Sequence, residues 1–186
     1  MLRRDEKRDT EKVPTMATLY LLRHFKSSWD EPDLPDLQRP LAPRGHTAGK
    51  LMARHLAHIG IRPELVLCSA ALRTRQTLEL IGSRWGDVDT NLERGLYEAS
   101  EKSLLDRLRA LPADLASVLL IGHNPGLERL TALLCAGHGD DTALERLRAK
   151  FPTGTLATLD RETPSWNHLG KETCSLRALV RPADLE

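Results

Sequence analysis

Cysteine is scarce in this 186-residue chain, and the three present, Cys68, Cys135 and Cys174, are far apart, odd in number and outside any CxxC spacing. A disulfide framework has no basis in that pattern, so the thiols read as buried or half-buried side chains and point to a reducing, cytoplasmic setting. An excess of charge of either sign is also missing. The formal net charge is +1, which removes the global electrostatic argument for nucleic acid, a membrane surface or a polyanionic partner and leaves charge specificity to local clusters. No apolar stretch approaches the roughly 20 residues that cross a bilayer. Internal repeats and low-complexity segments are absent, and so is HExxH. His55 and His58, one helical turn apart, have no third ligand at suitable spacing, so they read as a solvated helix face and no metal is expected.

The length suits one domain with a sizeable core. Residues 1–15, with acids and bases mixed, are neither a signal peptide nor a transit peptide and read as a solvated tail. Met16 stands just before the first apolar run and is an alternative start. Residues 16–186 then form a single domain. Short apolar runs at 18–22, 65–68 and 118–121 end abruptly in polar or glycine-containing sequence, as buried strands of a mostly parallel sheet do. Between them Ala48, Met52, Leu56 and Ile59 form one helical stripe, and Leu104, Leu108 and Leu111 another. Pro43 and Gly60 punctuate the first helix, and Ser100 suits an N-cap for 101–111. Leucines repeat at helical spacing through 126–135, Leu144 and Leu147 suggest a further short helix, and 155–159 and 174–180 suit later strands around a polar turn with Pro164 and Asn167. The alternation predicts an α/β fold.

Ligands of open α/β sheets bind beyond the carboxyl ends of the parallel strands, and three strand ends here carry reactive side chains. The first runs into Arg23 and His24, the second into Ser69 with Arg73 four residues on, the third into Gly122-His123-Asn124. Two arginines and two histidines on one sheet edge suit a phosphoryl group. Guanidinium forks at Arg23 and Arg73 can clamp a dianion at any working pH. To attack phosphorus, one ring nitrogen of His24 must be unprotonated, which needs the other to donate, for instance to a backbone carbonyl. His123 can donate to the equatorial oxygens, where protonation would help it. Glu98 is the candidate proton donor to the leaving group, with Glu93 and Asp89 as competing acids.

Leu22-Arg23-His24 after a strand, the Ser69-to-Thr77 segment SAALRTRQT and Gly122-His123-Asn124-Pro125-Gly126 together resemble the histidine phosphatase superfamily, in order and in spacing. More closely, Arg23-His24-Phe25-Lys26-Ser27-Ser28-Trp29, residues 36–45 around Arg39-Pro40-Leu41, and Leu96-Tyr97-Glu98-Ala99-Ser100 are similar to the small SixA-type phosphohistidine phosphatases. The similarity runs from Leu19 to the C-terminus and includes Phe151-Pro152-Thr153-Gly154 and Arg181-Pro182. It implies a phosphoglycerate mutase-like, three-layer α/β/α fold. It further implies a nucleophile at His24, phosphate ligands at Arg23, Arg73 and His123, an acid at Glu98, and no cofactor. The substrate it implies is a phosphorylated protein or a small phosphorylated molecule, with no part for nucleic acid or membrane.

Two positions depart from the family pattern. Phe25 stands where glycine or alanine is usual and adds bulk beside the expected pocket. Asp30 follows Trp29 where mutase-like relatives often have asparagine; ionised, it cannot donate to phosphate and is left out of the site. Lys26 and Arg44 either extend a positive rim or are simply exposed, and Ser27 reads as a loop serine. Besides hydrolysis, a phosphomutase and a phosphoprotein-binding module without turnover are the competing readings. The first is disfavoured by the short stretch 85–98, which leaves no room for a large insertion over the substrate.

Overall fold

The apolar runs become neighbouring strands because each is too apolar to leave either face in water. A computed structural model describes residues 17–186; the 1–15 tail reading lies outside the described residues. In chain order the elements are β1 (Ala17–Arg23), α1 (Pro43–His58), β2 (Leu65–Ser69), α2 (Leu72–Gly82), β3 (Asp89–Glu93), α3 (Glu101–Arg109), β4 (Ser117–Gly122), α4 (Gly126–Cys135), α5 (Asp141–Ala149), β5 (Leu156–Arg161) and β6 (Cys174–Val180). They build one six-stranded sheet in the order β3-β2-β4-β1-β5-β6. Strands β3, β2, β4 and β1 are mutually parallel, and β5 runs antiparallel to both β1 and β6.

Successive strand side chains point to opposite faces, so a continuous apolar run feeds two cores. On one face Leu19, Leu21, Leu67, Val118 and Leu120 pack beneath α3, α4 and α5, through Leu104, Leu108, Leu127, Leu130, Leu134, Leu144 and Leu147. On the other, Tyr20, Leu22, Val66, Cys68, Leu119 and Ile121 meet Met52 and Leu56 of α1, Ile81 of α2, and Trp85. This is the three-layer α/β/α arrangement expected. Cys68, Cys135 and Cys174 are free and buried.

The punctuation is physical. Pro43 occupies the first turn of α1, where its missing N–H has no intrahelical role. The Ser100 hydroxyl accepts from the Ser103 amide, capping α3. Two readings are refined. Ile59 leaves the α1 stripe, because the helix ends at His58, and is 48% exposed. The turn between β5 and β6 is not merely polar: Trp166 is fully buried and donates from Nε1 to the Leu115 carbonyl at 3.0 Å.

Candidate active site

Strand register brings the two histidines together. In the parallel pair of β1 and β4, Arg23 lies opposite Gly122, so the next residue of each chain segment, His24 and His123, leaves the sheet side by side. The His24 amide donates to the Gly122 carbonyl at 3.2 Å, and the ring centroids are 5.2 Å apart. Strand β2 flanks β4 and ends at Ser69; the Ser69 hydroxyl lies 2.8 Å from His123 Nε2. Arg73, in the first turn of α2, reaches the same point with Nη2 3.5 Å from His123 Nδ1. The heads of His24, His123 and Arg73 therefore share one rim of the sheet.

His24 is 7% exposed, and its Nδ1 lies 2.6 Å from the carbonyl oxygen of Phe25. A carbonyl only accepts, so Nδ1 carries the proton and the lone pair is on Nε2. Burial holds the His24 pKa down to about 4; the Phe25 carbonyl opposes this, and the Arg73 and Arg23 cations reinforce it. His123 is pushed down to about 3 by burial, then by His24 and Arg73. The free site thus has a neutral His123, and a protonated one requires an anion beside it.

Arg23 donates from Nη1 to the Phe151 carbonyl at 2.7 Å, while its buried Nε makes no hydrogen bond among the described residues. The same carbonyl accepts from Asn124 Nδ2 at 3.1 Å, which also donates to Glu128 at 2.8 Å. Gly154 secures the strand end from the other side, its amide donating to the carbonyls of Arg23 and His24 at 3.1 and 3.0 Å.

Two residues absent from the sequence-based set stand in this cluster. Asp36 accepts from Arg73 Nη2 at 2.9 Å and from the Tyr97 hydroxyl at 2.6 Å, and its own carbonyl accepts from Arg73 Nη1 at 2.6 Å. The Tyr97 hydroxyl and the Arg73 guanidinium hold its carboxyl below the usual range, so Asp36 is an anion. The Tyr97 ring stands edge-on to His123, with centroids 5.4 Å apart. Both residues lie in sequence motifs already noted; what was missing was the fold that carries the 36–38 turn to α2.

Glu98 is not drawn into the cluster. It is exposed, adopts φ 50°, and forms no hydrogen bond or ion pair among the described residues, though it adjoins Tyr97. The competing acids are placed elsewhere. Glu93 is held by Arg107 at 2.7–3.1 Å, and Asp89 opens β3 opposite Leu65, at the strand end remote from the histidines. Asp30 is turned to Ser28, at 2.8 Å. Phe25 does not obstruct the pocket. Its ring is fully buried and packs where Gly49 and Gly154 lack a side chain: a Cβ on Gly154 would lie 2.7 Å from it and one on Gly49 3.2 Å. Among the described residues, no three His, Cys, Asp or Glu side chains are grouped as metal ligands.

The family model of the histidine phosphatase superfamily (branch 1) matches residues 19–132. Phosphohistidine phosphatase SixA of Escherichia coli is 33% identical over 122 residues, 64% of this chain and 74% of that one. A structure from Nakamurella multipartitia assigned as a phosphohistidine phosphatase SixA superposes with a TM-score of 0.77 at 28% identity, covering 90% of this chain and 96% of the other. The protein histidine phosphatase SixA complexed with tungstate superposes at 0.71 with 26% identity, over 91% and 99%. The chain belongs to the histidine phosphatase superfamily and, within it, to the SixA type.

Proposed function

We propose that the protein is a metal-independent phosphatase, acting in the cytoplasm on phosphohistidine in proteins or on a small phosphoester through a phosphohistidine on His24. The observation that carries this reading is the Nδ1–H of His24 held by the Phe25 carbonyl at 2.6 Å. It leaves Nε2 unprotonated and aimed from a strand end among cations, which a site for binding alone has little need of. A SixA relative has been obtained in complex with tungstate, a tetrahedral oxyanion, which supports a phosphate-like ligand for this chain.

In this mechanism Arg23, Arg73 and His123 hold the three non-bridging oxygens while Nε2 attacks phosphorus in line with the leaving group. Catalysis of such a loose transition state is mainly positioning and charge stabilisation. In the free site the Arg73 guanidinium, which can only donate, faces His123 Nδ1, so Nε2–H donates to the Ser69 hydroxyl. A bound dianion raises the pKa of both imidazoles, and His123 protonated at Nδ1 then donates to phosphate while Ser69 keeps its hydrogen bond. Glu98 delivers a proton to the leaving atom and, as a carboxylate, then takes one from the water that hydrolyses the phosphohistidine. Its carboxyl, exposed beside Tyr97 and without a hydrogen bond among the described residues, suits that exchange better than Asp36, which is fixed as an anion. A generic aryl phosphate should be hydrolysed with no effect of chelator and with inhibition by vanadate, and His24→Ala should reduce turnover to background. Activity retained by that variant removes His24 as nucleophile. Phosphoryl transfer to a sugar or glycerate in preference to water would make the protein a mutase instead.

A further inference from the structure

A second cationic recess adjoins the catalytic one. A cavity of about 630 Å³ is lined by Lys26, Arg44, Lys150 and Arg181, with Thr153 at its wall and Glu186 its acidic residue. Arg181 is engaged by Asp184 at 2.9 Å. Lys26, Arg44 and Lys150 have no ion pair or side-chain hydrogen bond among the described residues, although they face one concavity. With Arg181 engaged, three cations face the single carboxylate side chain of Glu186, and the excess positive charge repels itself and stabilises nothing in the fold; an anion from outside would relieve that repulsion.

The recess shares a wall with the catalytic cluster. Lys26 follows His24 by two residues, so their Cα atoms are at most about 7.6 Å apart. The loop that contributes Lys150 and Thr153 is the one whose Phe151 carbonyl holds Arg23 and Asn124 and whose Gly154 amide binds the Arg23 and His24 carbonyls. Phe25, which joins His24 to Lys26 in the chain, is fully buried and packs against Gly154 of the same loop. A group in the cavity is therefore within reach of a phosphoryl on His24 while staying attached to the same substrate.

From this geometry we infer a subsite for a second anionic group of the substrate, either the carboxylates flanking a phosphorylated residue in an acidic protein segment or a second phosphate on a small ester. The inference rests on the phosphatase reading and adds the substrate class. Such a subsite selects among substrates through KM and leaves the chemical step untouched.

The test compares the full-length chain with Arg44→Ala/Lys150→Ala on an aryl phosphate, on phosphohistidine peptides with Asp/Glu or Ala flanks, and on a small sugar bisphosphate with its monophosphate. The double variant should leave the aryl phosphate unchanged and lose roughly tenfold in kcat/KM, through KM, on the doubly anionic substrates, with the preference fading at high salt. Loss on the acidic peptide assigns the subsite to proteins, and loss on the bisphosphate assigns it to small esters. An unaltered preference for both overturns the subsite while the phosphatase reading stands. Should the wild-type chain hydrolyse no aryl phosphate, the phosphatase reading fails by itself, and the subsite is judged by binding. An Asp/Glu-rich peptide that binds the wild type and the double variant equally then overturns it.

Discussion

At the scale of single residues, the account turns on which nitrogen of each histidine holds a proton. His24 has a folded-state pKa of about 4 and His123 one of about 3, against about 6.5 for an unperturbed imidazole. Both are depressed, so between those values the unfolded chain binds protons that the folded chain does not. Stability is accordingly full above about pH 6.5 and falls as the pH drops toward 4 and then 3. Denaturant midpoints measured from pH 7 to 4 should decline, and replacing both histidines by Gln should flatten the decline. Over the same range kcat/KM for an activated aryl phosphate, whose leaving group needs no proton from Glu98, corrected for ionisation of the substrate, should hold until its acid limb near pH 4, where Nε2 of His24 acquires a proton. The Ser69 contact gives a second expectation. Ser69→Ala leaves His123 Nε2 buried without a partner, a cost of about 1–3 kcal/mol, and frees the ring to turn away from the phosphate position; kcat/KM should fall about tenfold or more while the thermal midpoint shifts by only a few degrees.

At the scale of elements, what could be read from the sequence followed from burial. Strands β1, β2 and β4 are apolar on both faces, so their ends were legible, and with them Arg23, His24, Ser69 and His123. Strand β3 was not, because Asp89, Thr90, Asn91 and Leu92 are exposed on the sheet edge, where polar residues are a defence against pairing with other chains and carry no period. Asp36 was illegible as a site residue for a related reason. Its turn is positioned by Arg73 and Tyr97, distant in sequence, and no local pattern announces such a contact. The misplaced emphasis on Phe25 has the same origin: whether bulk fills a pocket or a core depends on Gly49 and Gly154, neither near it in the chain. The helix start at Ser100 tests the local part of the argument. Ser100→Ala should cost about 1 kcal/mol of stability, whereas Gly126→Ala should cost clearly more, because a Cβ there falls well inside the van der Waals contact distance to the Ala99 carbonyl oxygen. Urea unfolding of the two variants checks the order.

For the whole molecule, the fold acts as a device for aligning strand ends. Parallel β1 and β4 must present consecutive residues at one edge, so an Arg-His and a Gly-His pair far apart in the chain converge without any long-range signal beyond register. The antiparallel β5 and β6 widen the sheet, and the 150–154 loop that leads into β5 closes the edge over Arg23. This division explains why a scaffold shared with the SixA relatives transfers the reaction more readily than the substrate: the strand ends set the phosphoryl chemistry, while the loops around them set what else the substrate carries. The most direct test of the central claim is to mix the protein rapidly with a phosphoryl donor, quench it under alkaline conditions that preserve phosphohistidine, and map the modified peptide by mass spectrometry. The account predicts one phosphoryl group on His24, absent from His24→Ala and chased by water in unquenched samples; a phosphoryl group on any other side chain, or hydrolysis at full rate with His24 never modified, would contradict it.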